Sequence, residues 1–243
     1  MSSETEVPGI GRVAAVIPAY QAEPSVGDVV RRTLEHISTV LAIDDGSTDG
    51  TAEVARQAGA EVVSQGHNQG KGRALWTAFQ RLFGQGFDAV VTLDADGQHL
   101  PEEIPKLYAG AETGLDLVLG TRSHLFGEMS KLRKTSNRLS SRAISILAGE
   151  PLDDIQTGFR LYRRRLVEGT GFPEARFEAE SAVIVRAVRR GFRVDAVPVE
   201  LGFADGRTTS HFRPLIDSVR IALAVIRARC ERSARHRVQF ARP

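Results

Sequence analysis

Residues 89–99, with the sequence AVVTLDADGQH, decide the fold class because they join an apolar strand to a cluster of carboxylates. Residues 89–93 form a short apolar run, which is typical of a strand buried on both faces of a sheet. Asp94 and Asp96 follow immediately, two positions apart. Ligands of open α/β sheets bind beyond the carboxyl ends of the strands. The stretch therefore predicts a parallel sheet with a polar site at this edge.

The sequence on either side alternates in the same way. Strands are predicted at 13–17, 39–43, 61–64, 89–93, 116–119 and 192–201, and helices at 25–37, 51–58, 72–83, 101–111, 130–147, 178–190 and 215–229. Strands that alternate with helices of this length are typical of βαβ units. We predict one α/β domain over residues 12–229, a Rossmann-like, mostly parallel sheet flanked by helices. Residues 1–11 are expected to be flexible and residues 230–243 to form a basic tail.

Composition excludes several classes of protein. The 243 residues are 42% hydrophobic and 26% charged, which excludes a disordered or collagen-like chain. The single cysteine, Cys230, excludes a disulfide framework and a cysteine-rich metal site. The net charge is +2, and the arginines concentrate after residue 212, so the chain is not a uniformly basic nucleic-acid binder. A basic C-terminal segment on a mildly acidic remainder suggests that this segment contacts an anionic surface.

No targeting or membrane segment is apparent. The longest apolar run near the C-terminus, residues 221–226, is far shorter than the ~18 residues of a membrane span. The first residues lack the basic and apolar regions of a signal peptide. We expect a cytoplasmic protein, with peripheral contact at the inner face of the membrane left open.

Two common phosphate-binding motifs are absent. The turn after the first strand, IPAYQAEPS, has no glycine where a dinucleotide-binding fold has GxGxxG. The sequence GHNQGKG resembles a P-loop, but only three residues separate Gly66 from Gly70, and Gly72 stands where a magnesium-binding Ser or Thr is needed.

Asp94 and Asp96 are candidate metal ligands. Carboxylates crowded at a strand end repel one another unless a cation neutralises them. Oxygen ligands with few protein charges suit Mg²⁺ or Mn²⁺ shared with substrate phosphates better than zinc. The alternative is a turn in which an aspartate caps the next helix.

The sequence AIDDGSTDGT, residues 42–51, is a second candidate. Asp44 and Asp45 end a predicted strand, and a carboxylate there can accept hydrogen bonds from a base or ribose. The alternative is again structural, with Asp49 or Thr51 capping the following helix.

Taken together, these segments resemble family 2 glycosyltransferases of the GT-A fold. The resemblance rests on VIPAY, DDGSTDGT, NQGKGRAL and DADGQHLPEEI in the first half. GTR at 120–122, DIQTGFRLYRR at 154–164, RFEAE at 176–180 and SHFRPLIDS at 210–218 are similar to the dolichol-phosphate mannose synthase-like, polyprenyl-phosphate sugar synthase branch.

The resemblance implies a role for individual residues. The residues that it implies for binding the nucleotide sugar are Pro18, Ala19, Tyr20, Glu23, Asp45, Lys71, Asp94, Ala95 and Asp96. The implied ligands of Mg²⁺ or Mn²⁺ are Asp94, Asp96 and Gln98. The implied catalytic residues are Asp96, Arg122, Asp154 and Glu178. The residues implied to bind the acceptor phosphate are Arg122, Arg133, Arg138, Arg160 and Arg207.

The chain departs from the family pattern in two places. Gln21 and Ala22 stand where the family has Asn-Glu, so Glu23 must supply that donor contact. Gly206 stands where the mannose synthases have an arginine, whose charge Arg207 can supply, and Ser210-His211 stands where they have a Ser-Lys pair. The departures leave open whether the donor is GDP-mannose or a UDP-sugar.

The function implied is metal-dependent, inverting transfer of a sugar from a nucleotide diphosphate to a polyprenyl or dolichyl phosphate. The alternative is a soluble hydroxyl acceptor, which needs a base, and Asp153, Asp154, Glu178 and Glu180 are candidates. The final predicted helix has an apolar stripe that includes Ile216, Val219 and Leu223. The stripe could dock on the sheet, which is the commonest outcome, lie on an anionic bilayer, or form a homodimer.

Overall fold

The computed structural model describes residues 5–121, 157–202, 214–231 and 238–240. The strands are β1 (Glu6–Val7), β2 (Gly11–Ala19), β3 (Val40–Asp44), β4 (Glu61–Ser64), β5 (Ala89–Thr92), β6 (Leu117–Thr121), β7 (Arg160–Arg163) and β8 (Val194–Pro198). The helices are α1 (Glu23–Leu34), α2 (Thr51–Gln57), α3 (Lys71–Gly84), α4 (Ile104–Glu112), α5 (Arg164–Thr170), α6 (Glu178–Arg189) and α7 (Pro214–Cys230), with a 3₁₀ turn at Pro101–Glu103.

The sheet is mostly parallel, as predicted. Its order is β4-β3-β2-β5-β7-β6-β8, and only β7 runs antiparallel to its neighbours within that path. From β2 the chain moves outward through β3 to β4, and then returns to place β5 on the other side of β2. The order of strands reverses there, which is where open α/β sheets bind their ligands.

Alternating side chains of β2 build two cores. Val13, Ala15 and Ile17 pack with α1, α2 and α4 on one face of the sheet. Ala14 and Val16 pack with α3, α5, α6 and α7 on the other. Because both faces are covered, the central strands are apolar throughout, and polar side chains are left to the strand ends.

The structure corrects the predicted boundaries. Glu6–Val7 pairs with Gly11 and Arg12, and Val7 and Ile10 are buried, so the packed domain begins before residue 12. Phe240 is also buried, with its ring 5.8 Å from that of Trp76 and 5.2 Å from that of Phe83. The predicted basic tail therefore includes residues that complete the core.

Three elements lie outside the predicted strands and helices, and one helix docks by an unexpected face. The three are β1, β7 and α5, and the sequence of β7 falls within the DIQTGFRLYRR motif on which the family resemblance rests. The apolar stripe of α7 does not face the sheet, and the opposite side of the helix packs along α6. In the described ranges, no helix has both the length and the hydropathy that a transmembrane span requires.

Candidate active site

A cavity of about 570 Å³ opens at the carboxyl ends of β2, β3 and β5, where the strand order reverses. The start of α3, the loop before α6 and one face of α7 complete its wall. The described residues that line it are Pro18, Ala19, Tyr20, Ala22, Asp45, Asn68, Gly70, Lys71, Ala74, Asp94, Ala95, Asp96, Arg176, Phe177, Asp217 and Arg220. The cavity thus gathers eight of the nine residues that the sequence implied for the nucleotide sugar.

Lys71 supplies the cation that the crowded aspartates require. Its Nζ lies 2.6 Å from Oδ1 of Asp94 and 3.0 Å from Oε2 of Glu180. Burial alone would lower the pKa of Lys71, but the two carboxylates raise it above its ordinary value. Lys71 is therefore a fixed positive charge at the floor of the cavity.

Arg160 lies beneath this group and does not line the cavity. It is fully buried, and its Nε donates to the Thr157 carbonyl at 2.7 Å while Nη1 donates to the Glu180 carbonyl at 2.6 Å. Its Nε also lies 3.9 Å from Oε1 of Glu180. The implied contact of Arg160 with an acceptor phosphate is therefore corrected. Its charge instead offsets the buried Glu180, in an alternating series Asp94, Lys71, Glu180, Arg160.

Gly158 permits the close approach of this series to the strand. A Cβ at Gly158 would lie 2.5 Å from Oδ2 of Asp94 and 2.7 Å from Nζ of Lys71. The Gly158 carbonyl accepts a hydrogen bond from the Thr92 hydroxyl at 2.8 Å, which ties the loop to the end of β5. Any side chain here would displace the charged groups.

Asp45 holds the loop before α3 in place. Its Oδ1 accepts from the Gln69 amide at 2.7 Å and its Oδ2 from the Gly70 amide at 2.8 Å. Burial raises the pKa of Asp45 above its ordinary value, although these two amides and Arg176 oppose the shift. Asp45 lines the cavity, so it can still meet a ligand through its remaining lone pairs. A role in shaping the loop was not predicted.

The chemistry of Asp94 and Asp96 fits a divalent cation. Both line the cavity, and carboxylate oxygens are the donors that Mg²⁺ and Mn²⁺ accept. No cluster of three or more His, Cys, Asp or Glu that could hold a metal occurs among the described residues.

Besides Arg160, three described residues that the resemblance implied do not line the cavity. Glu23 accepts a hydrogen bond from the Gly50 amide at 2.9 Å and so stabilises the turn before α2, whereas the resemblance implied a contact with the donor. Gln98 donates its backbone N–H to Oδ1 of Asp96 at 3.0 Å, which shapes the turn, and its role as a metal ligand stays a prediction. Glu178 has a buried Oε2 that lacks a hydrogen-bond partner within the described ranges. Arg122, Arg133, Arg138, Asp154 and Arg207 lie outside the described residues, as do Asp153 and the predicted helix at 130–147.

The cavity also contains functional candidates that sequence reasoning missed. Arg176 approaches Asn68, with Nη1 3.5 Å from Oδ1, and Arg220 pairs with the buried Asp217 at 3.4 Å. The RFEAE motif pointed to the first of these arginines, but nothing local in the α7 sequence distinguishes Arg220 from its other arginines. Both guanidinium groups face a space that the aspartates also face.

Comparison with known proteins identifies the family. The sequence model of glycosyl transferase family 2 matches residues 14–171. An undecaprenyl-phosphate 4-deoxy-4-formamido-L-arabinose transferase of Klebsiella pneumoniae is 31% identical over 82% of this chain and 63% of its own length. The corresponding transferase of an Enterobacter species is 34% identical over 68% of this chain and 52% of its own length. The chain thus spans between half and two thirds of these relatives.

Solved structures share the fold. Glucosyl-3-phosphoglycerate synthase of Mycobacterium tuberculosis, in complex with Mn²⁺, UDP and phosphoglyceric acid, superposes with a TM-score of 0.72 at 21% identity, over 90% of this chain and 78% of that one. Its complex with Mg²⁺ and UDP gives a TM-score of 0.69 at 22% identity, over 90% of this chain and 79% of that one. Because the family model matches more than half of the chain, the chain belongs to glycosyl transferase family 2, and it has the GT-A fold.

Proposed function

We propose that this glycosyltransferase moves a sugar from a nucleotide diphosphate to a polyprenyl phosphate, with inversion at the anomeric carbon. The observation that carries the proposal is the cavity in which Asp45, Asp94 and Asp96 face two arginines, Arg176 and Arg220. The relatives named as undecaprenyl-phosphate transferases support the choice of acceptor.

The donor would lie along the ends of β2 and β3. Pro18, Ala19 and Tyr20 form an apolar wall against which a base can pack, and Asp45 offers acceptor atoms at its far end. Asp94 and Asp96 would hold Mg²⁺ or Mn²⁺. When bound, such a cation neutralises charge on the leaving diphosphate. Structural relatives bind UDP, so UDP-sugars are the first donors to test.

The acceptor would enter from the side of α7. Arg176 and Arg220 can position a phosphate through paired N–H donors. A phosphate monoester is anionic at neutral pH and attacks without a base. Consistent with this, each cavity carboxylate already has a partner. Asp45 accepts hydrogen bonds from two amides and Asp96 from one, Asp94 pairs with Lys71, and Asp217 pairs with Arg220.

One observation favours a soluble hydroxyl acceptor as the alternative. Oε2 of Glu178 is buried without a hydrogen-bond partner among the residues that the structure describes, next to the cavity residue Phe177. A carboxylate in this state can serve as a general base for a hydroxyl.

Radiolabelled transfer separates the two acceptors. Purified protein is incubated with UDP- and GDP-sugars, a divalent cation, and either a short-chain polyprenyl phosphate or the corresponding alcohol. Transfer to the phosphate alone is expected. Equal use of the alcohol, or transfer that requires Glu178 by comparison of Glu178→Gln with wild type, would replace the lipid phosphate with a hydroxyl acceptor.

A further inference from the structure

Helix α7 carries apolar side chains on two opposite faces. One face packs along α6 and is buried, with Ile221, Ala224, Val225 and Ala228. On the other face Ile216, Val219, Leu223 and Ile226 are exposed by 49%, 60%, 50% and 49%. These four are the large hydrophobic side chains that are exposed in the described part of the chain, and on an ideal helix they fall within an arc of about 80°. Contiguous exposed apolar side chains on a folded domain mark an interaction site.

The charges beside these four side chains are all of one sign. Arg220, Arg227 and Arg229 are exposed on α7, with Arg227 about 20° from Ile216 and Arg229 about 60° from Ile226 around the helix. The helix has one carboxylate, Asp217, which is buried at the cavity and pairs with Arg220. The exposed face therefore combines an apolar stripe with cations on both sides and no exposed acid.

We propose that this face of α7, consisting of Ile216, Val219, Leu223 and Ile226 with Arg227 and Arg229, docks on the anionic surface of a lipid bilayer. A helix lying in the interface buries its apolar stripe among the acyl chains and its arginines pair with lipid phosphates. A twofold contact with a second copy is disfavoured by the same charges, because it would bring arginines together with no carboxylate on the exposed face to pair with them.

Docking in this way would orient the active site toward the membrane. Asp217 and Arg220 belong to the same helix and line the cavity. With α7 in the interface, the cavity would open at the level of lipid headgroups, where a polyprenyl phosphate presents its anionic end. This link to the acceptor rests on the proposed function, whereas binding to vesicles does not.

The test is co-sedimentation of the full chain with vesicles at low salt, without donor or acceptor. One set contains equal parts of phosphatidylglycerol and phosphatidylcholine, and the other phosphatidylcholine alone. Wild type is expected to bind the anionic set. The double variant Val219→Ser/Leu223→Ser should weaken partitioning at least about tenfold, and Arg227→Gln/Arg229→Gln roughly thirtyfold. The matched control, Arg31→Gln/Arg56→Gln, removes two exposed arginines on the opposite face of the sheet and should have no effect.

Several results would overturn the docking surface. These are an absence of binding to the anionic vesicles, equal binding to both sets, unchanged binding of the stripe variant, or self-association that Leu223→Ser disperses. Activity provides a separate readout, because the stripe variant should keep wild-type turnover with a water-soluble short-chain acceptor and lose it with acceptor embedded in vesicles. Vesicle binding without transfer to either acceptor would refute the proposed function and leave the docking surface standing.

Discussion

Lys71 places its ammonium nitrogen 2.6 Å from Oδ1 of Asp94, so the first aspartate of the DADGQH stretch is already half of an ion pair. Glu180 binds the same nitrogen from the other side at 3.0 Å. The two aspartates of the stretch are therefore not the unneutralised pair that their spacing suggests, and the consequences of removing each one differ.

Replacing Lys71 should destabilise the fold as well as the site. In Lys71→Met the buried Glu180 loses one of its two counter-charges in the described ranges and Asp94 loses its ammonium partner, which costs ~3–5 kcal/mol of the free energy of unfolding. Urea denaturation measures the loss, and calorimetry with a nucleotide diphosphate reports on the site. Lys106→Met is the matched control, because its pair with Glu103 is at the surface and such pairs contribute ~0–1 kcal/mol. Equal losses in the two variants would contradict the structural role of Lys71.

Substitutions of Asp94 and Asp96 should separate effects on stability from effects on activity. Asp96→Asn is expected to abolish transfer while leaving the denaturation midpoint near that of wild type, since Asp96 forms no ion pair with another described residue. Asp94→Asn should abolish transfer and also lower the midpoint, because Lys71 then keeps Glu180 as its one carboxylate partner in the described part of the chain. EDTA should inactivate the wild type. Asp28→Asn, on the exposed surface of α1, controls for loss of a carboxylate. Full activity in EDTA would remove the metal from the proposal.

Asp45→Ala should weaken nucleotide binding. Asp45 lines the cavity, and losing one hydrogen bond from a bound base to its carboxylate costs ~1.5–3 kcal/mol, about 10- to 150-fold in affinity. Asp49→Ala is the control from the same turn, because Asp49 caps α2 through Thr51 and does not line the cavity. It should cost about 1 kcal/mol of stability and leave affinity unchanged. Calorimetry that finds both variants equally weakened would make the effect one of loop stability.

Gly158→Ala tests the close approach of the strand to the charged groups. The added methyl would displace the Asp94 carboxylate and Lys71, and misplacement on this scale costs about a hundredfold in turnover. Gly66→Ala is the control, because a Cβ there meets nothing within 4 Å. Comparable kcat values for the two variants would show that Asp94 need not be held in this position.

Arg160→Gln should impair stability and not acceptor use specifically. The buried guanidinium serves the carbonyls of Thr157 and Glu180, and its removal leaves Glu180 with Lys71 as its one cationic partner among the described residues. A drop of ~3–5 kcal/mol in the free energy of unfolding is expected. A variant with wild-type stability and a raised KM for the acceptor alone would restore Arg160 to acceptor binding.

The sequence by itself determined the sheet and the edge at which the site lies. Hydrophobic periodicity and composition are local signals that a sequence shows directly. The apolar runs at 13–17, 39–43 and 89–93 end in polar motifs, and parallel strands bring these motifs to one edge of the sheet. Eight of the nine residues that the family resemblance implied for the donor line the cavity at this edge.

The tertiary structure alone decided which charges meet and which helix face is covered. Lys71 and Glu180 are far apart in the chain and adjacent in space, and the side chain of Arg160 points inward from β7 to the same carboxylate, which no local pattern encodes. Helix α7 is apolar on two faces, so hydrophobic periodicity could not say which one docks. Small residues let one face pack closely along α6, and this packing left Val219 and Leu223 in solvent.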